Sequence, residues 1–241
     1  MKESGILTIS RWQDKQSLSL AHFRSANRCK DAGQCGRAIS EYLEAVRLNG
    51  GMSEAYNNLG IVYKQMGQYD KAIDAYLDAV RINPGLSQAY DNLGVVYLEM
   101  GLNNEAIAAF HKAIETNPDN PRPYHNLGAA YENRDLYEHA IHAYSQAIHL
   151  DPTLMEAYYN LGTLYGKVNA YDESIEALQK GIELVTDDVE LRFNLGFTYS
   201  RKGMKGEAIR EYEEAIRFDP DFIEARRNLA LLRQKEEEGP D

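Results

Sequence analysis

The sequence is poor in cysteine, in positive charge and in long apolar runs. Its 241 residues hold two cysteines, Cys29 and Cys35. Their spacing fits no common zinc pattern and no second Cys or His pair lies nearby, so neither a metal nor a set of disulfides organises the fold. No run of 18 apolar residues exists, so no membrane-spanning helix is expected. Residues 1–18 lack the apolar core of a secretory signal, which leads to the expectation of a cytoplasmic protein. Lysine and arginine number 26 against 37 aspartates and glutamates, a formal net charge of −11. That balance disfavours nucleic acid or an anionic membrane surface as partner, and suits a neutral or basic one. GxSxG, P-loop and HExxH motifs are all missing, so no catalytic residue, metal ligand or cofactor is assigned and an enzyme is not expected.

What is present is a period. Asn58, Asn92, Asn126, Asn160, Asn194 and Asn228 follow one another at steps of 34 residues, the first five heading the tripeptide Asn-Leu-Gly. Self-similarity at such a step marks an array of stacked units. Aligned on Asn, the units are 19–52, 53–86, 87–120, 121–154, 155–188 and 189–222. In the second, position 4 is Tyr56, 7 is Leu59, 8 is Gly60, 11 is Tyr63, 15 is Gly67, 20 is Ala72, 24 is Tyr76, 27 is Ala79 and 32 is Pro84. Positions 4, 7, 8 and 11 form one helical stripe and 20, 24 and 27 another, so each unit reads as two amphipathic helices, A and B. Gly67, Gly101 and Gly203 fall where helix A ends and a left-handed residue is favoured. Pro84, Pro118, Pro152 and Pro220 stop helix B. Cys29 occupies position 11, where later units carry a tyrosine, and reads as a packed thiol.

This pattern resembles the tetratricopeptide repeat family. The resemblance implies an all-α, right-handed superhelix of six helix-turn-helix repeats, with A helices lining a concave groove and B helices facing outward. A final amphipathic helix, 223–238, is expected to cap the array, followed by a polar tail at 239–241. Residues 1–18, with Ile6, Leu7, Ile9 and Trp12, are expected either to cap the other end or to form a free tail. Repeat five departs furthest from the pattern: Ser174, Leu178 and Gly181 replace Ala, aromatic and Ala, and Thr186 stands in place of Pro. Bending or fraying is expected near 166–188.

The same resemblance places positions 2, 5, 6, 9, 12 and 13 on the concave side. The row Asn58, Asn92, Asn126, Asn160 and Asn194 is similar to the asparagine ladder of the O-linked N-acetylglucosamine transferases, which grips target backbones. A carboxamide both donates and accepts, so such a row suits an extended chain; the same row also suits a framework pairing neighbouring helices. His125, Tyr159, Phe193 and Phe197 stand beside it, the last three as an apolar patch or as packing between repeats. The lysine-rich clamp that other family members use for chaperone tails is missing, because Phe23, Gln88 and Asn92 stand at its cationic positions. His139, His142 and His149 make at best a weak exposed metal site. The expected function is a non-enzymatic adaptor that holds an extended peptide or partner segment; the alternative is a scaffold that self-assembles through its ends or convex face into a homo-oligomer. Alanine at Asn92, Asn126 and Asn160 is expected to weaken binding and leave the melting temperature nearly unchanged.

Overall fold

A computed structural model describes residues 2–237, with side chains over 14–234. The chain folds into two compact units, Met1–Asp119 and Asn120–Asp241. The first holds α1 (Lys2–Asp31), α2 (Cys35–Leu48), α3 (Ser53–Gln65), α4 (Tyr69–Ile82), α5 (Ser87–Glu99) and α6 (Asn103–Thr116). The second holds α7 (Pro121–Glu132), α8 (Tyr137–Leu150), α9 (Met155–Lys167), α10 (Tyr171–Leu184), α11 (Val189–Lys202), α12 (Lys205–Phe218) and α13 (Ile223–Glu237). Among the described residues there is no strand, so the all-α class and the hairpin pairs are as the period implies. Within each unit every A helix pairs with its own B helix, and that B helix packs on the next A helix; α3 also touches α5, and α9 touches α11.

Among the described residues of each unit the core is divided into layers. In unit 1 one buried cluster joins Ala38 and Tyr42 of repeat one to Leu59 and Val62 of repeat two, and another joins Tyr76 to Leu93 and Val96. In unit 2 one cluster joins Tyr144 to Leu161 and Leu164, and another joins Leu178 to Leu195, Tyr212 and Leu229. Each layer spans neighbouring repeats, the arrangement in which stability accumulates repeat by repeat. The glycine of Asn-Leu-Gly is required by this packing. A Cβ at Gly94 would lie 2.5 Å from the Phe110 ring, and one at Gly128 2.6 Å from the Tyr144 ring. In repeats two, three, four and six helix A therefore rests directly on the position-24 ring of its own helix B, and in repeat five on Leu178.

Local backbone chemistry sets the helix ends. Gly67, Gly101 and Gly203 have φ of 69°, 75° and 85°. Asp135 and Asn169 hold the same place in repeats four and five at φ 55° and 62°, a conformation that Asn and Asp tolerate better than most residues. Each uses its side chain as well: the Tyr137 hydroxyl donates to Asp135, and the Tyr171 hydroxyl donates to Asn169 at 2.7 Å. Helix B ends two residues before each proline, and the side chain of Asn83, Asp151 or Asp219 accepts from the backbone N–H two residues on, at 2.9–3.0 Å.

Repeat five lacks that turn residue, having Val185 there. Its neighbour compensates. The Arg192 guanidinium reaches back to the Thr186 carbonyl through Nη2 at 2.8 Å and Nε at 3.1 Å, and pairs with Glu211 at 3.0 Å. Burial pushes the Glu211 carboxyl upward while Arg192 opposes the shift. The other departures of this repeat are also filled. The buried Ser174 hydroxyl donates to the Gly162 carbonyl at 2.7 Å and lies 3.0 Å from Thr198 Oγ1. A Cβ on Gly181 would sit 2.9 Å from Leu191 Cδ2. Leu191 stands where other repeats have Ala55, Ala89 or Ala157, so a large residue faces the one position 27 that is glycine.

At the ends, α1 runs unbroken from Lys2 through the expected start of repeat one, so the N-terminal segment prolongs the first A helix. The side chains of Ile6, Leu7, Ile9 and Trp12, expected as a cap, lie outside the described residues. Buried Ser19 ties this helix to α2, its hydroxyl lying 2.9 Å from the Ala45 carbonyl. At the other end α13 buries Ala225 and Leu229 against α12. The tail at 239–241 lies outside the described residues.

One buried group is left over. The Tyr76 hydroxyl has no hydrogen-bond partner among the described residues, whereas the Tyr42 hydroxyl donates to Asn27 at 2.5 Å and Tyr212 accepts from Asn228 at 3.3 Å. Burial pushes the Tyr42 and Tyr212 hydroxyls up to about 12, and Tyr76 further. Removing the orphaned oxygen with Tyr76→Phe is expected to raise the unfolding free energy by about 1 kcal/mol, the residue already found as Phe110 one repeat on. Urea denaturation of the two proteins checks this; a loss of stability would mean that the hydroxyl is bonded after all.

Candidate functional site

Position 6 lies one residue from the buried stripe of helix A, and every described Asn there is half-buried. Their amides reach sideways. Asn92 Nδ2 donates to Asn57 Oδ1 at 3.0 Å, and Asn160 Nδ2 lies 2.8 Å from His125 Nε2. Asn194 lies near the Tyr159 hydroxyl, which donates to Glu190 at 2.9 Å. In each of these pairs position 6 of one A helix meets position 5 of the preceding A helix. Asn58 Nδ2 uses position 9 instead, donating to Asn27 Oδ1 at 3.1 Å, and Asn126 is also engaged. The row thus forms rungs between adjoining repeats within each unit; His125 is the partner in one of them, and Tyr159 stands at the matching place beside Asn194. The signal for this was in the sequence: polar or aromatic residues recur at position 5, one residue before each Asn.

This arrangement changes one expectation. Asn57 is only 5% exposed, so removing the Asn92 amide leaves its carbonyl buried and unpaired. Asn92→Ala and Asn160→Ala are each expected to lower stability by about 1 kcal/mol, where the sequence suggested almost no effect. Melting curves of the two variants provide the check, and unshifted midpoints would show the rungs to be dispensable.

The three aromatic candidates part ways. Phe193 is half-buried, its ring 5.1 Å from that of Phe222 and 5.8 Å from that of Tyr212, so it packs within repeat six, against its own helix B and the turn that follows. Tyr159 rests on the same cluster. Phe197 is 46% exposed, and Leu231 of α13, which lines a cleft with it, is 48% exposed. Two clefts flank Phe197 within unit 2. One, of about 260 Å³, lies between α9 and α11 and is lined by Thr163, Lys167, Asn194, Phe197 and Arg201. The other, of about 150 Å³, lies between α11 and α13 and is lined by Tyr212, Asn228, Leu231 and Leu232. No group of three or more His, Cys, Asp or Glu side chains among the described residues is placed to hold a metal ion, and His139 and His142 are exposed. Among the described residues no helix is long and apolar enough to cross a membrane.

Stacked antiparallel hairpins with an open face of amide, aromatic and charged side chains define a helical-repeat interaction module. Sequence profiles of the family agree: the tetratricopeptide repeat matches 53–86, 156–184 and 189–222, and the TPR repeat matches 99–134 and 136–169. The chain belongs to the tetratricopeptide repeat family, whose members bind peptides or proteins and are typically non-catalytic. Among solved structures it is similar to MamA, at 29% identity and a TM-score of 0.65 over 71% of this chain and 93% of that one. YrrB, solved as a TPR protein with an unusual peptide-binding site, shares 21% identity with a TM-score of 0.66 over 78% of this chain and 96% of that one. PilF of Pseudomonas aeruginosa shares 14% identity with a TM-score of 0.77 over 90% of this chain and 99% of that one. The likeness to YrrB and PilF shows the fold alone. No curated protein sequence matches the chain significantly.

Proposed function

We propose that the protein is a non-enzymatic adaptor that binds an extended segment of a partner protein against the A-helix face of its repeats. The observation that carries this reading is Phe197, a large ring nearly half exposed between two open clefts of unit 2. Exposed aromatic side chains beside pockets are the usual anchors of protein interfaces. The rungs support the same reading. Asn92 and Asn160 each commit an amide N–H to the preceding repeat, and their side-chain carbonyls accept nothing from the described residues. Those oxygens are available to the backbone N–H groups of a bound strand. A cytoplasmic setting and a partner that is neutral or basic overall fit the chain's charge of −11.

The test is affinity capture from an extract of the native cells with wild type and with a Phe197→Ala, Leu231→Ala variant, together with sedimentation of the purified chain. A partner retained by wild type and lost by the folded variant supports the adaptor. Concentration-dependent oligomers with no captured partner would replace it with a self-assembling scaffold.

A further inference from the structure

This inference rests on the adaptor reading and narrows the partner. We infer that the cleft between α9 and α11 takes a carboxylate side chain of the bound segment, held by Arg201 with Lys167 at its edge. An apolar side chain about three residues along that segment fills the adjoining cleft against Phe197 and Leu231.

The described cations are partly paired and partly free. Arg47, Arg81, Lys112, Lys180 and Arg217 each pair with a carboxylate three residues away on the same helix, at 2.6–2.9 Å. Lys202, next to Arg201, pairs with Asp172, and Arg233 pairs with Glu213. Arg201, like Lys205, Arg210, Arg226 and Arg227 of the same unit, is exposed and has no ion-pair partner among the described residues, and of these five it is the one that lines the cleft between α9 and α11. The turns on either side of Arg201 supply Phe197, Thr198, Met204 and Lys205, none of them anionic. Its cleft lining contains no carboxylate; Lys167, the other cation there, already faces Glu132 at 3.8 Å, Asp135 at 3.9 Å and the Tyr137 ring at 4.7 Å, which leaves Arg201 as the principal anchor.

An unpaired arginine, a carboxamide and a ring, in a cleft whose lining holds no carboxylate, suit a carboxylate, which an arginine fork binds with two parallel hydrogen bonds. The hydroxyls of Thr163 and Thr198 are already donated to the Asn160 and Asn194 carbonyls, at 3.0 and 2.9 Å, so the cations dominate what the cleft recognises. The overall negative charge does not oppose this, because exposed charges are screened beyond about 8 Å at physiological salt. Phe197 is shared by both clefts, which fixes the second contact. Neighbouring helices lie about 8–10 Å apart and an extended chain advances about 3.3 Å per residue. One helix step therefore corresponds to about three ligand residues.

The experiment is selection of a phage-displayed random dodecapeptide library on the full chain, wild type and Arg201→Glu in parallel. A synthetic copy of an enriched peptide is then titrated by fluorescence anisotropy. Wild type is expected to enrich Asp or Glu about three residues from Leu, Ile or Phe, and Arg201→Glu to keep the apolar preference and lose the acidic one. Arg201→Ala is expected to raise Kd about tenfold for the acidic peptide, and to have little effect on its Asp→Asn or Glu→Gln version, with the melting temperature unchanged. Peptides enriched by wild type without an acidic residue, or a Kd indifferent to Arg201, overturn the carboxylate site and leave the adaptor standing. A wild-type chain that enriches no peptide overturns both.

Discussion

Replacing Gly128 by leucine is expected to lower the unfolding free energy by about 3 kcal/mol. A Cβ alone would stand 2.6 Å from Cδ1 and Cε1 of Tyr144, and that ring, 1% exposed, is enclosed by Leu161 and Leu164 of the next repeat. Leucine adds three further carbons, so either the ring or helix α7 has to shift. Removing glycine from a helix interior recovers only about 1 kcal/mol. Gly206→Ala is the matched control, because nothing lies within 4 Å of its Cβ position. It is expected to be neutral or slightly stabilising. Urea denaturation of both variants measures the contrast, and a Gly128→Leu protein within about 0.5 kcal/mol of wild type would show that the hairpin closes less tightly than the structure has it.

Leu191→Ala is expected to cost about 3 kcal/mol, the loss typical of a fully buried leucine. Leu191 is 0% exposed and fills the space beside Gly181. Adding Gly181→Ala should then recover part of that loss, by returning a methyl group to the void and by removing glycine from helix α10. In the wild-type background the same Gly181→Ala change presses on Leu191 and is expected to be unfavourable. Opposite signs in the two backgrounds constitute a coupling that a double-mutant cycle reads directly. Simple additivity would show that the two positions do not share one space.

The parts of the fold written in local backbone chemistry were legible from the sequence. The left-handed ends at Gly67, Gly101 and Gly203 and the stops before Pro84, Pro118, Pro152 and Pro220 follow from spacing. Asp135 and Asn169 hold the same conformation without glycine, and only alignment on position 15 points to them. Contacts between repeats were harder to see. Gly181 reads as a weak point when taken alone, and its compensation lies ten residues later, in a different helix, at Leu191. Phe193 and Phe197 share one stripe of α11 by helical spacing, yet Phe222 covers the first and leaves the second open. A period describes a helix, and exposure is decided by its neighbours.

The join between repeats five and six limits what can be done with this chain as a building material. Leu191 matches Gly181, and Arg192 reaches Thr186 and Glu211. Residues 155–222 therefore have to travel as one cassette in any recombined array, since grafting repeat six behind another repeat would set its leucine against an alanine methyl.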